Sequence, residues 1–203
     1  MSKKLVAVSQ RFDKVSGRNE ARDCLDVNFA AFIEQCNGFS APVPSHLRDI
    51  KGYLQALNPA AIILSGGNNI GSCIKRDQTE AAMLEFAIKH TLPVLGVCRG
   101  MQFLNMFEGG SLESCTGHVG TRHHLIGEWA SRNKLNAVNS YHEFAITQET
   151  CSRSFNVLAL AEDDVIEAFE HLSRPWLGIM WHPEREAEFC AEDIHLVKTH
   201  LGL

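Results

Sequence analysis

The stretch from Pro93 to Gln102 restricts this chain more than any other. A short apolar run, Val94 to Val97, passes directly into Cys98-Arg99-Gly100 and then into a helix-like segment. A single cysteine between two closely spaced glycines, at the junction of a strand and a helix, is the pattern of a nucleophile elbow. The reactive side chain tops a tight turn, and the glycines let backbones approach closely. Such a turn requires an α/β layer arrangement behind it. Far downstream, a second apolar run from Trp176 to Trp181 ends in His182-Pro183-Glu184. A thiol, an imidazole and a carboxylate at the ends of two strands are the parts of a Cys–His–Glu triad.

The rest of the chain is compatible with that reading. Its 203 residues suffice for one α/β domain, and the simplest organisation is a single domain over residues 1–203. With 45% hydrophobic and 21% charged residues, the composition is that of a soluble globular protein. The net charge of −5 and the lack of a Lys/Arg cluster exclude a nucleic-acid partner. No segment approaches the roughly 20 apolar residues of a membrane span, and the apolar run after Lys4 is too short for a signal peptide. The seven cysteines, an odd number scattered through ordinary sequence, read as reduced thiols in a cytoplasmic protein.

Periodicity supplies the order of elements. Leu5 to Ser9, Ala60 to Leu64 and Pro93 to Val97 read as buried strands. Leu25, Phe29, Phe32, Ile33 and Cys36 recur at helical spacing within Asn19–Cys36, with Gly38 as a stop. Asp77 and Glu80 have the spacing of a capping box for a helix running to His90. Met101 to Phe107 is the elbow helix, ended by Gly109-Gly110, and Ala191 to Leu201 a closing helix. Alternating strands and helices predict an open, mostly parallel sheet flanked by helices. Between Ser111 and Leu172 the pattern weakens. Candidate strands at 137–138, 144–147, 157–161 and 165–169 suggest a small β-rich extension.

Each chemical reading has a bland competitor. A cysteine after glycine is often just a small buried hydrophobe, but the helix start here places N–H groups near the sulfur, which favours thiolate. His182 could merely end a strand. Pro183 stiffens the backbone beyond it, and Glu184 is placed to hold the far ring nitrogen. A carbonyl attacked by sulfur needs oxyanion donors. The Arg99 N–H is one candidate, and Gly66-Gly67, after a buried strand, the source of another, although a glycine pair alone is equally a turn. Cys115, His118, His123 and His124 raise the possibility of a metal. Their spacing matches no zinc signature, and His123 and His124 point to opposite faces of a strand. No metal and no cofactor is therefore expected.

Together these pieces resemble the class I glutamine amidotransferase-like family. The likeness is carried by Gly96 to Gln102, Ser65-Gly66-Gly67, Arg76 to Glu80, Val138 to His142 and Trp181 to Glu184, in that family's order. The resemblance implies a flavodoxin-like fold with Cys98 as nucleophile, His182 as base and later acid, and Glu184 as orienter. It implies oxyanion N–H groups from Gly67 and Arg99, and a glutamyl moiety held by Gln102, Ser140 and Tyr141. Arg99, directly after the cysteine, is more similar to free-standing γ-glutamyl hydrolases than to synthetase-linked glutaminases. A narrower likeness joins Ser9 to Arg11, Glu20 to Asp26, Ile63 to Asn69, Gly117 to Gly120, His142 to Ile146, Ile166 to Phe169 and Gly178 to Arg185. These strings resemble the γ-glutamyl-CDP-amidate hydrolases of capsule phosphoramidate biosynthesis. That branch implies a small-molecule γ-glutamyl substrate bearing a nucleotide. His142-Glu143-Phe144 departs from the His-x-Gln of many relatives, on the leaving-group side.

Two other readings stay open on sequence. One is a glutaminase subunit feeding ammonia to a separate synthetase, which the chain's lack of an appended synthetase domain does not favour. The other is a cysteine redox sensor on the same fold, which would need Cys98 but not His182 or Glu184. Specificity is expected in the loops 68–75 and 113–136, the first a possible lid.

Overall fold

The computed structural model describes residues 2–203. In chain order, the first half comprises β1 (Lys4–Val8), β2 (Arg11–Lys14), β3 (Ala21–Cys24), α1 (Val27–Gln35), β4 (Gly38–Pro42), α2 (Ile50–Leu57), β5 (Ala61–Leu64) and α3 (Ile74–His90). The centre comprises β6 (Val94–Val97), α4 (Arg99–Phe107), β7 (Glu113–Ser114), β8 (Val119–His124), α5 (Glu128–Arg132), β9 (Ala137–Tyr141) and β10 (Phe144–Ala145). The last part holds β11 (Phe155–Leu160), β12 (Ile166–His171), β13 (Trp176–Ile179) and α6 (Ala191–Leu201).

One seven-stranded sheet, ordered β11-β12-β13-β6-β5-β1-β4, organises the molecule. From β13 to β4 all neighbours are parallel, whereas β12 and β11 add antiparallel strands at one end. The fold is thus the α/β flavodoxin-like arrangement with a mixed sheet and a small β extension. The central strands are apolar throughout because both faces are covered. Strand alternation puts Val6, Val8, Ile63, Leu95 and Val97 on one face, under α1 and α6. Ala7, Ile62, Leu64 and Val94 occupy the other, under α2, α3 and α4.

Several expectations need correction. Asn19–Cys36 is not one helix. Residues 21–24 pair with β2 in a hairpin, and α1 starts only after Asp26, whose side chain accepts from the Asn28 N–H. Gly38 does not stop that helix but opens β4; the chain turns at Asn37, φ +71°. The capping box is absent. Helix α3 begins at Ile74, capped by Cys73 without a side-chain bond. Asp77 accepts from the Gly71 N–H at 2.8 Å. Glu80 turns inward to Arg76 and Arg99, because two buried guanidiniums attract a carboxylate more strongly than a helix N–H does. The expected β-rich extension is present: β11 and β12 lengthen the main sheet, and β8–β9 and β7–β10 pair as small two-stranded sheets.

Candidate active site

The site begins with a register. Strands β6 and β13 are parallel neighbours, with Val97 opposite Ile179, so both chains leave the sheet at the same edge. That edge, outside the carboxyl ends of parallel strands, is where open α/β sheets form their clefts. Cys98 follows one strand and His182 the other.

Cys98 sits at φ 51°, ψ −107°, a region that costs a side-chain-bearing residue about 1–3 kcal/mol. Glycines make that turn possible. A Cβ on Gly96 would lie 2.7 Å from the Gly100 carbonyl carbon, and one on Gly100 would lie 2.0 Å from the Leu64 carbonyl oxygen. The turn is held by the Cys98 N–H donating to Ile179 at 2.8 Å and by the Gln102 N–H donating to Cys98 at 3.1 Å. Cys98 is therefore the N-cap of α4, at the positive end of that helix.

The His182 ring is almost fully enclosed, at 1% exposure, and its Nδ1 lies 2.7 Å from Glu184 Oε1. Its backbone is clamped by Asn139, whose Oδ1 accepts from the His182 N–H at 2.9 Å and whose Nδ2 donates to the His182 carbonyl at 2.8 Å. Tyr141 meets the ring edge-on, centroids 5.9 Å apart. Burial disfavours the imidazolium, but the Cys98 sulfur and then Glu184 outweigh it, and the His182 pKa is raised to about 9. At neutral pH the ring carries its proton.

The Ser65-Gly66-Gly67 loop borders the same space, and Arg76 sets its orientation. This buried guanidinium donates to the carbonyls of Ser65 at 2.7 Å, Gly66 at 2.9 Å and Gly67 at 2.5 Å. In a trans peptide the N–H points opposite to the preceding carbonyl. Pulling the Ser65 and Gly66 carbonyls toward Arg76 therefore turns the Gly66 and Gly67 N–H groups the other way. Arg76 is itself fixed by Glu80 at 3.0 Å, and Glu80 also binds Arg99 and Ser9. The Arg99 side chain is spent in this buried network with Glu80 and Asp77, which leaves its N–H at the start of α4 as its contribution to the site.

A cleft of about 270 Å³ brings together Cys98, His182, Gly67, Arg99, Gln102 and Tyr141. Glu184 lies behind His182. Ser140 is not on the cleft wall: its hydroxyl is fully buried and donates to the His118 carbonyl at 2.7 Å. The sequence reading gave no role to Arg11 and Arg185, which line the same cleft. Arg185 lies over the Tyr141 ring, 4.8 Å from its centroid. Their adjacency to the loop and to His182 appears only in three dimensions, although Arg185 follows the His-Pro-Glu string directly.

A second cysteine, histidine and glutamate also converge. Cys115 Sγ lies 3.6 Å from His142 Nδ1, and His142 Nε2 lies 3.4 Å from Glu167 Oε1. Burial and the carboxylates of Asp163, Glu167, Glu113 and Glu143 push the Cys115 thiol up to about 11. His123, expected to face away from His124, does so: it joins His118 and His142 inside, and His124 is exposed.

The Peptidase C26 family model matches residues 4–184. The chain is 32% identical over 190 residues to the γ-glutamyl-CDP-amidate hydrolase of Campylobacter jejuni, covering 89% of this chain and 90% of that protein. It is 30% identical over 159 residues to a glutamine-hydrolysing GMP synthase subunit of Pyrococcus abyssi, covering 75% of this chain and 79% of that one. A solved glutamine amidotransferase from Thermotoga maritima superposes with a TM-score of 0.64 at 18% identity, over 100% of this chain and 85% of that structure; that likeness concerns the fold.

Proposed function

Because this chain belongs to the Peptidase C26 family, within the class I glutamine amidotransferase-like proteins, we propose that its chemistry is hydrolysis of a γ-glutamyl amide at Cys98. The chain is a cysteine-based hydrolase with a Cys–His–Glu arrangement. The choice of cysteine rests on electrostatics. Cys98 caps a helix beside a histidine whose pKa is raised, whereas burial and then four nearby carboxylates push the Cys115 thiol up, away from thiolate.

In this reading the Cys98 thiolate attacks the γ-carbonyl carbon, and the N–H groups of Gly67 and Arg99 receive the oxyanion. His182 gives its proton to the departing nitrogen as the C–N bond breaks, leaving a γ-glutamyl thioester. Water, losing a proton to His182, then attacks the thioester, and glutamate and the thiolate are released. Glu184 holds the ring in the required tautomer throughout. Gln102 and Tyr141 face the glutamyl group, and Ser140 offers only its backbone.

The leaving group is a nucleoside diphosphoramidate in this proposal, as in the Campylobacter jejuni relative's name. The observation that carries it is the pair Arg11 and Arg185 on the cleft beside His182, where the departing nitrogen and its substituent must lie. Two guanidiniums suit a pyrophosphate and have no counterpart on L-glutamine. The test is glutamate release from γ-glutamyl-CDP-amidate, simple γ-glutamyl amines and L-glutamine. The nucleotide conjugate is expected to show a kcat/KM about 100-fold higher, two charge-assisted contacts being sufficient for that. Arg11→Ala should raise KM for the conjugate and leave glutamine turnover unchanged. Equal rates across the panel would sink the nucleotide reading, and activity only with an added synthetase would replace it with an ammonia-supplying role.

The tightness of the His182 site makes a further prediction. A Cβ on Gly66 would come within 2.5 Å of His182 Cε1. Gly66→Ala should displace the ring and lower kcat about 100-fold, the usual effect of a misplacement near 1 Å. An unchanged kcat in a folded variant would show that His182 does not act from the position described.

A further inference from the structure

The strongest unexplained feature lies outside the triad. Four side chains from separate parts of the chain converge: His118 before β8, His123 in β8, His142 after β9, and Glu167 in β12. One ligand-type atom from each lies within 4.8 Å of all the others. His118 and His142 are 2% and 3% exposed and Glu167 0%. Among the described residues, the buried side-chain atoms without a hydrogen-bond partner include His118 Nδ1, His123 Nε2, His142 Nε2 and both Glu167 oxygens. A buried polar group rarely lacks a partner, and these share one location.

The outer contacts explain why the lone pairs face inward. His118 Nε2 lies 2.8 Å from Asp163 Oδ2, and His142 Nδ1 lies 2.9 Å from the Phe144 carbonyl. Both acceptors require N–H on those nitrogens, so a neutral His118 presents Nδ1, and a neutral His142 presents Nε2, as bare lone pairs toward Glu167. Lone pairs facing a carboxylate repel one another unless a proton or a metal cation lies between them, and a single metal ion can satisfy all of these atoms at once. A carboxylate or backbone carbonyl on the outer nitrogen is also how metal-bound histidines are oriented.

We propose that His118 Nδ1, His123 Nε2, His142 Nε2 and a Glu167 oxygen bind a divalent transition-metal ion of the zinc type. Three imidazoles and one carboxylate match its borderline preference. Tetrahedral bonds near 2.1 Å would draw the ligand atoms to about 3.4 Å apart, a small rotation of each side chain from the positions described. Four protein ligands close the coordination sphere, so the ion is structural and takes no part in turnover. It fastens the β8–β9 hairpin to β12 of the main sheet. That hairpin carries Asn139 and Tyr141, so the ion indirectly steadies the wall around His182. The site does not depend on the hydrolase reading.

The test uses untagged full-length protein, stripped with a chelator, reloaded with Zn2+ and freed of excess by gel filtration. About one equivalent of zinc is expected in the wild type and also in Cys98→Ala. Affinity should fall at least about tenfold in His123→Ala and in His118→Asn. Removal of zinc should lower the melting temperature by about 5 °C or more. Co2+ in the wild-type protein should give the visible absorption of a four-coordinate site without a thiolate charge-transfer band; this measurement needs no variant. Folded wild-type protein that retains no zinc, unaltered zinc affinity in both variants, or a thiolate band would each overturn the assignment.

Discussion

Cys98→Ala is expected to lower kcat/KM by about 10⁴-fold or more on every γ-glutamyl substrate, with the fold retained and only a modest fall in melting temperature at neutral pH. Removing a triad nucleophile leaves only the binding site and the oxyanion donors, which gives losses of that order. The fold should tolerate the change. Alanine is smaller than cysteine, and the strain at φ 51° is a backbone property that both residues share. A second readout separates a nucleophile from a merely buried thiol. The sulfur is the leading cause raising His182 to about 9, so in Cys98→Ala the imidazole should titrate distinctly lower by NMR. The sign follows for stability: a histidine raised from 6.5 contributes stability fully below pH 6.5 and loses it as the pH climbs through about 9. That alkaline loss should shrink in the variant. Retained turnover, or an unmoved His182, would remove Cys98 from the mechanism, and turnover lost only in Cys115→Ala would transfer the role.

The largest effect on stability is expected from Glu80→Ala. Glu80 is fully buried and satisfies Arg76, Arg99 and Ser9 at once. Its removal leaves two guanidiniums, each nearly inaccessible to water, with only Asp77 as a remaining carboxylate. Breaking a buried pair by deleting one partner costs about 3–5 kcal/mol, because the surviving charge stays desolvated. In a chain of this size that corresponds to a fall of roughly 6–20 °C in melting temperature. Catalysis should decline as well, since Arg76 orients the Ser65-Gly66-Gly67 loop and Glu80 anchors Arg76. Thermal and urea denaturation measure the first effect and steady-state kinetics the second. A loss below about 1 kcal/mol would mean that water or Asp77 compensates the arginines.

The sequence made the centre of this fold legible because its signals are local. Val6 to Val8, Ile62 to Leu64 and Val94 to Val97 must be buried on both faces, and only a covered parallel sheet does that. The elbow was readable for the same reason: Gly96 and Gly100 are needed within a few residues of Cys98. Elements held by distant partners were not readable. Strands β2 and β3 show no apolar alternation and exist through their mutual pairing. Glu80 had the spacing of a helix cap, and its true partners include Arg99, whose approach depends on the packing of α3 near α4. The histidine cluster failed on spacing because two of its members, His142 and Glu167, come from elsewhere in the chain. Strand alternation correctly separated His123 from His124, but it could not supply the pairing of β8 with β9 that brings His142 to the His123 side.

The position of β13 has a consequence for biosynthesis. This strand lies between β6 and β12, both of which precede it in the chain. A nascent polypeptide that has not yet reached Trp176 carries two strand edges flanking a missing slat, each lined with unpaired backbone groups. The same late segment delivers His182 and Glu184. Closure of the sheet and the arrival of His182 and Glu184 beside Cys98 therefore coincide: one segment completes both the sheet and the proposed triad, so integrity and reactivity are acquired in one step.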